Sequence, residues 1–198
     1  MFNSLVEIVV LGKVAGESAA QYALSNGSQA GNGRTLAQEA EARVTALLRN
    51  EKGERLAVLR DEMRDTMEAG VGIYREADTM RAACDKLAEL KARYRRGVRL
   101  DDRSRAFNTE WLTAIELGFM LDVAQALAHS ALERRESRGA HMRLDGFEKR
   151  DDVNYLKHTL ATYSAHDAPA ISYMPVTITR SAPEARVYGG AGKQAVLT

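Results

Sequence analysis

Residues 108–136 read NTEWLTAIELGFMLDVAQALAHSALERRE, and this stretch decides the fold. Asn108 is a residue type that often caps a helix N-terminus, and the apolar positions after it recur with the helical period and not the strand period. The spacing therefore predicts the longest helix of the chain, with an apolar stripe made by Leu112, Ile115, Phe119, Val123 and Leu127.

Three more amphipathic helices are predicted upstream of this one. Thr35 and Gln38 have the spacing of a capping box for a helix over residues 35–49, a second helix covers residues 54–69, and Asp78 caps a third. Their apolar stripes are Leu36, Ala40, Val44, Leu47 and Leu48, then Leu56, Leu59, Met63 and Met67, then Met80, Cys84, Leu87, Leu90 and Tyr94. Short connections between such helices imply a mainly α fold, an up-and-down helical bundle like a spectrin repeat.

The two ends of the chain differ from the bundle. Residues 5–23 predict a helix that is apolar nearly all round, with Gly12 and Gly16 allowing close backbone approach, and such a helix requires burial on most sides. We expect it to act as a buttress helix with exposed apolar surface near residues 5–11, because the chain offers little to cover it. After Arg138 we expect an extended tail with β-type runs at residues 157–163 and 170–179, forming a small hairpin, and a mobile end at residues 188–198.

Composition excludes several classes of protein. The chain has 28 basic and 27 acidic residues, so its net charge does not favour binding to nucleic acid or to a membrane surface. Cys84 is the single cysteine, which excludes a disulfide framework and a cysteine-based zinc site. The apolar run over residues 2–11 lacks a basic flank and is too short to cross a bilayer, so neither a signal peptide nor direct membrane insertion is expected.

No residue pattern predicts a catalytic or metal site. His129, His141, His158 and His166 have no ligand spacing, so each is interpreted as structural, and Cys84 falls on an apolar stripe and predicts a buried thiol. An arginine cluster could bind RNA, but Asp101 and Asp102 lie within it, which favours a solvated or subunit-facing surface. The cluster comprises Arg93, Arg95, Arg96, Arg99, Arg103 and Arg105.

Several stretches, in order along the chain, resemble the flavoprotein subunits of succinate dehydrogenase and fumarate reductase. Asn3-Ser4-Leu5 and the helix after it resemble that family's Asn-Ser-Leu segment, and residues 136–141, Glu-Ser-Arg-Gly-Ala-His, match the family's motif. Residues 151–160, DDVNYLKHTL, look like the bacterial fumarate reductase tail, and Phe107-Asn108-Thr109 and residues 186–189 agree. Residues 72–75, GIYR, lean toward the fumarate reductase branch.

The resemblance implies an FAD enzyme that interconverts succinate and fumarate by hydride transfer. It implies cofactor-binding roles for Ser4 and Leu5, and for Asn3 with less support, at the start of a helix beside the flavin. The family's substrate-binding arginine would precede Met1, so we expect no catalytic residue, no stoichiometric flavin and no turnover from the chain alone. The implied domains are residues 1–24 as a remnant helix of the FAD-binding domain, 34–136 as the helical bundle and 137–198 as the tail.

The implied partners are the remainder of the flavoprotein, an iron–sulfur subunit and a flavinylation assembly factor. The implied location is the cytoplasm, peripheral to the inner face of the membrane through partner subunits. Two alternatives stay open: a stand-alone helical interaction module that binds an iron–sulfur subunit or assembly factor, and an RNA-binding helical protein that uses the arginine cluster.

Overall fold

The computed structural model describes residues 4–27, 33–179 and 182–183 of the 198-residue chain. The chain forms two compact units, Met1–Arg43 and Val44–Thr198, which are described separately below. Helix α2, Gly33–Arg49, begins in the first unit and ends in the second.

The first unit contains helix α1, Ser4–Asn26, and the start of α2. The predicted helix over residues 5–23 is confirmed and extends by one turn, where the Asn26 side-chain amide donates to the Tyr22 carbonyl at 2.8 Å. The expectation of exposed apolar side chains also holds, since Leu5 is 80% exposed. The capping box at Thr35 is wrong, because α2 already begins at Gly33 and Thr35 lies inside its first turn.

The second unit is built on helices α3, Leu56–Val71, α4, Ala77–Arg96, and α5, Thr109–Glu133, which pack side by side as predicted. Their core is apolar and includes Leu48 from the end of α2. Asp78 does not cap α4, because the cap residue is Glu76 and Asp78 lies in the first turn. Asn108 does cap α5: its side-chain oxygen accepts from the Trp111 amide at 2.7 Å. The fully buried members of the core include Leu59, Met80, Leu87, Leu90, Leu117 and Leu121.

The predicted apolar stripe of α5 is wrong. Phe119 is 66% exposed, and Leu112, Val123 and Leu127 are exposed too, whereas the buried residues are Ala114, Leu117, Leu121, Ala124, Gln125, Ala128 and Ala131. The reason is close packing: a Cβ at Gly118 would lie 2.8 Å from the Tyr94 hydroxyl of α4, which donates to the Ala114 carbonyl at 2.9 Å. Small residues let α4 approach this side of α5, and the bulky stripe faces outward.

Short parallel strands pair the segments that connect the helices. Strand β1, Glu54–Arg55, pairs with β3, Val98–Arg99, and β2, Tyr74–Arg75, pairs with β4, Met142–Arg143. Val98 and Leu100, which lie among the arginines of the predicted cluster, are buried.

The tail contains the predicted hairpin. Helix α6, Asp152–Tyr155, leads into strand β5, Lys157–Thr162, which pairs antiparallel with β6, Ala170–Pro175. The predicted mobile end at residues 188–198 lies outside the described residues.

Among the described residues, only α5 is long and apolar enough to cross a membrane by length and composition. A core helix of a bundle passes the same test, and Leu117, Leu121 and Ala128 of α5 are fully buried in the core.

Candidate functional site

The start of α1 carries the residues that the resemblance assigns to the flavin. Asn3 lies outside the described residues, Ser4 is the first residue of α1, and Leu5 is exposed. The first amides of any helix lack partners within the helix and carry partial positive charge, so this end suits an electron-rich ring edge. The flavin contact of these three residues stays a prediction.

A dense polar cluster surrounds Glu136, three residues after the end of α5, and we call it the carboxy-terminal junction (Arg134, Glu136, Arg138, His141, Arg143 and Asp145). Glu136 is 0% exposed, and its carboxylate accepts from Arg134, from Arg138 Nε at 2.8 Å and from the Asp151 amide at 2.8 Å. Burial alone would raise the pKa of Glu136, but the hydrogen bonds from Arg138, Asp151 and Arg134 outweigh it and lower the pKa. The carboxylate therefore stays charged and paired.

The His141 ring lies between the Arg75 guanidinium and the Arg134 backbone carbonyl, and it is neutral. Its Nδ1 accepts from Arg75 Nη1 at 2.7 Å, because a guanidinium can only donate. Its Nε2 then carries the proton and donates to the Arg134 carbonyl at 3.0 Å. Burial lowers the pKa of His141, and the nearby charges of Arg75, Arg143 and Arg134 lower it further against the favourable bond to that carbonyl. Both ring nitrogens are occupied, so the ring serves as a bridge.

Arg143 and Asp145 join the ends of two helices. Arg143 is 1% exposed and its Nη1 donates to the carbonyls of Leu132 and Arg134 at 3.2 and 3.1 Å, which satisfies the last turn of α5. Asp145 accepts from Arg143 at 2.6 and 2.8 Å and from the Ala77 amide at 2.8 Å, so it supplies the cap of α4 that Glu76 does not. The Arg143 guanidinium lowers the pKa of Asp145 to about 2.

The Glu-Ser-Arg-Gly-Ala-His motif, residues 136–141, ends in a tight turn. Arg138 and His141 exchange both backbone hydrogen bonds, at 2.9 and 3.0 Å, across Gly139 and Ala140. Gly139 has φ 61° at the first central position, as a type II′ turn requires, which explains a glycine there. The Ser137 hydroxyl donates to the Phe147 carbonyl at 2.9 Å and accepts from the Arg143 amide at 2.9 Å.

Arg134 fixes the tail hairpin to the junction. Its guanidinium donates to the Tyr155 carbonyl at 2.9 Å, the Lys157 carbonyl at 2.7 Å and the Thr159 hydroxyl at 2.9 Å. The same guanidinium lies over the Tyr155 ring, 5.6 Å from its centroid. One side chain therefore links α5, α6 and β5.

The geometry of the junction favours a structural role over catalysis. Its carboxylates and its histidine are all engaged by neighbouring groups, so none is placed to attack or to exchange a proton with a ligand. The interpretation of His141 as structural agrees with this geometry. Sequence reasoning missed Arg75 and Asp145, because they reach the motif from a distant strand and from a loop, and no local spacing signals either contact.

The arginine cluster predicted from sequence is divided by the fold. Arg93 is nearly buried and donates to Glu54 at 2.5 and 2.9 Å and to Glu62 at 2.7 and 2.8 Å, so it anchors α4 to α3 and β1. Arg103 pairs with Glu51 at 2.9 Å. The cluster is therefore not one continuous basic face.

Cys84 is buried as predicted, and burial raises the pKa of its thiol to about 11. It lines a cavity of about 210 Å³ together with Lys91, Gln125 and His129. Among the residues that the structure describes, no three His, Cys, Asp or Glu side chains are grouped to hold a metal ion.

Comparison with known proteins relates this arrangement to one family. The sequence profile of the family described as "Fumarate reductase flavoprotein C-term" matches residues 60–188. The chain is 54% identical over 190 residues to the fumarate reductase flavoprotein subunit of Haemophilus influenzae, and 50% identical over 194 residues to that of Escherichia coli. These matches cover 94% and 95% of this chain, which spans 31% of the length of each relative.

Solved structures show the same likeness. The chain matches the flavoprotein of E. coli quinol fumarate reductase (an E245Q variant) with a TM-score of 0.85 and 48% identity, over 95% of this chain and 32% of that one. It matches a chain of the Mycobacterium smegmatis Sdh1 complex with a TM-score of 0.75 and 29% identity, over 87% of this chain and 29% of that one. The chain therefore belongs to the fumarate reductase flavoprotein C-terminal family, within the succinate dehydrogenase and fumarate reductase flavoproteins, and corresponds to about a third of such a subunit.

Proposed function

We propose that this chain is the C-terminal region of a flavoprotein subunit that interconverts succinate and fumarate. The observation that carries the proposal is the match to fumarate reductase flavoproteins over nearly the whole chain. FAD, when bound in the whole subunit, supplies the hydride-transfer chemistry.

In this proposal α1 is the part of the chain that meets the cofactor. The free amides at its start would face the flavin, with Ser4, Leu5 and Asn3 as the contacting residues. The rest of α1 fits burial against protein outside this chain, because Val6, Ile8, Val9 and Val10 are exposed around the helix. A Cβ at Gly12 or Gly16 would meet nothing within 4 Å, so no described neighbour requires glycine at either position.

The bundle and the junction form a second part of the proposed subunit, described separately from α1. The exposed stripe of α5, formed by Leu112, Phe119, Met120, Val123 and Leu127, offers further surface to the remainder of the flavoprotein. The partners are the remainder of the flavoprotein, an iron–sulfur subunit and, during maturation, a flavinylation assembly factor. The subunit would lie in the cytoplasm, peripheral to the membrane through those partners.

The intact mass of the polypeptide in its source organism tests this proposal first. A mass far above 21.8 kDa, with bound flavin and fumarate reduction by a reduced viologen dye, is the expected result. A mass of 21.8 kDa without flavin would overturn it and favour the stand-alone interaction module instead.

A Leu5→Asp substitution in the flavin-containing protein tests the role of α1. Placing a carboxylate at the start of this helix is expected to lower the flavin reduction potential, because negative charge disfavours the reduced anion. Leu24→Asp, at an exposed position near the other end of α1, is the matched control. An unchanged flavin reduction potential in the Leu5 variant would contradict the proposed contact between Leu5 and the flavin.

A further inference from the structure

The imidazole of His141 joins two segments that are distant in the sequence. Its Nδ1 accepts from Arg75 Nη1 at 2.7 Å, and the backbones meet beside this bond, where the Leu144 amide donates to the Arg75 carbonyl at 3.0 Å. We call the two segments the α3–α4 connector (residues 72–76) and the motif segment (residues 138–144). The Arg75–His141 hydrogen bond is a side-chain contact that links the connector to the motif segment.

This contact requires a neutral imidazole. A guanidinium has no lone pair, so Nδ1 can bond to Arg75 only as an acceptor. The other ring nitrogen, Nε2, already donates its proton to the Arg134 carbonyl at 3.0 Å, so an added proton can go only to Nδ1. Protonation of His141 therefore replaces the hydrogen bond with two N–H groups that face each other and two cations side by side.

The charged groups that act on the ring from the surrounding elements oppose protonation. Burial lowers the pKa of His141, and the guanidiniums of Arg75 on β2, Arg143 on β4 and Arg134 after the end of α5 lower it further. The hydrogen bond to the Arg134 carbonyl acts in the opposite direction but does not outweigh them.

The two carboxylates of the carboxy-terminal junction are bonded to other groups. Glu136 accepts from Arg134 and Arg138, and Asp145 accepts from Arg143. Both nitrogens of the His141 ring are bonded within the described residues, so a group outside this chain finds no free nitrogen on the ring. The effect of a proton on the Arg75 contact therefore follows from this chain alone.

We propose that the Arg75–His141 hydrogen bond is a pH-sensitive contact, which fastens the α3–α4 connector to the motif segment at neutral pH and releases it in mild acid when His141 takes up a proton. The inference goes beyond the proposed function, because it concerns an internal contact and does not depend on the reaction of the flavoprotein.

The pH window of this contact is defined by linkage. The folded pKa of His141 is below its ordinary value of 6.5, so the contribution of the contact is present above pH 6.5 and is lost as the pH falls through the folded pKa. Asp145 titrates far lower, toward about 2, so the two groups act in separate windows.

Amide hydrogen exchange of the natural protein, read by mass spectrometry in peptides from the connector and the motif segment, tests the proposal. After correction for the intrinsic effect of pH on exchange, we expect both peptides to exchange about tenfold faster at pH 5 than at pH 7.5, because the open form binds the proton. His129, which lies on α5, is outside both peptides. An equal corrected rate at the two pH values would overturn the proposal.

The His141→Gln variant separates the titration from the contact. A glutamine can accept from Arg75 through its carbonyl oxygen and donate to the Arg134 carbonyl through its amide, but it takes up no proton in this range. We expect its two peptides to exchange at the same corrected rate at both pH values. His166→Gln, at an exposed position in the hairpin turn, is the matched control and should keep the acid response. An acid response of H141Q equal to that of the unaltered protein would contradict the proposal.

A direct titration of His141 needs no variant and decides the matter if H141Q does not fold. Slow deuterium exchange of the imidazole C2 hydrogen, followed by mass spectrometry of the peptide that contains His141, gives the midpoint in the natural protein. We expect a midpoint below 6.5, and a midpoint at or above 6.5 would show that protonation does not oppose the Arg75 contact.

Discussion

The bundle core and the centre of the carboxy-terminal junction, formed by Glu136 and Arg143, are both buried, but different forces stabilise them. In the bundle, Leu59, Leu87 and Leu117 are fully buried among other apolar side chains. In the junction, Glu136 and Arg143 are buried just as deeply, and each is surrounded by directional hydrogen bonds. The bundle gains from apolar area removed from water, whereas the junction offsets the cost of buried charge by pairing every member.

This difference determines how each region responds to change. An apolar core loses stability in proportion to the side-chain volume that a substitution removes. An apolar substitution that conserves the volume lowers the free energy of unfolding only slightly. A paired ionic cluster loses much of its free energy of unfolding when a single member is removed, because another member then stays charged and buried without its partner. The following predictions test that contrast.

Glu136→Ala is expected to have the largest effect. It removes the only carboxylate paired with Arg134 among the described residues and one of the two paired with Arg138, at a fully buried position, which costs about 3–5 kcal/mol of unfolding free energy. Urea unfolding of the 198-residue chain, followed by Trp111 fluorescence, measures it. Glu68→Ala, at an exposed position of α3, is the control and should change stability by less than about 0.5 kcal/mol. Equal unfolding free energies of the two variants would show that the ion pairs of Glu136 do not stabilise the chain.

Leu117→Ala is expected to cost about 3 kcal/mol, because it opens a cavity where α5 meets α3 and α4. Leu117→Met conserves the volume and should cost less than about 1.5 kcal/mol. The same urea unfolding compares the two. A methionine variant as unstable as the alanine variant would contradict the view that volume governs this region.

Acid is expected to loosen the junction through Asp145. Its folded pKa of about 2 is below its unfolded value of 3.8, so its contribution is present above pH 3.8 and is lost as the pH falls toward 2. The loss is about 1–2 kcal/mol after allowance for partial exposure. Unfolding free energies measured between pH 5 and pH 2 should fall less steeply in Asp145→Asn. Parallel curves for the two proteins would show that Arg143 does not hold this carboxylate.

Gly139→Ala is expected to have the smallest effect, about 1 kcal/mol, because alanine is strained at φ 61° while a Cβ there meets nothing within 4 Å. Gly139→Asn should cost less, since asparagine tolerates this conformation. Thermal unfolding resolves the order of the two variants. If asparagine were the worse residue, space and not backbone conformation would explain the glycine.

Local signals predicted the regular elements of the chain well. The apolar spacing of α3 and α4 located both helices and their buried residues, because each helix has one apolar face and one charged face. Asn108 marked the start of α5 correctly, and the short β-type runs of the tail located the hairpin. Cap positions on α2 and α4 were wrong, since several polar residues near each start satisfy the same rule.

The sequence by itself determined the helical class, the order of the elements and the family to which the chain belongs, because period, caps and motifs are encoded over a few neighbouring residues. Only the tertiary structure decided which side of α5 is buried. That helix is apolar on both sides, and the choice follows from how closely Tyr94 approaches Ala114 and Gly118. It also decided the partners of Glu136 and His141, because Asp151 and Arg75 are distant from them in the chain and meet them only in the folded protein.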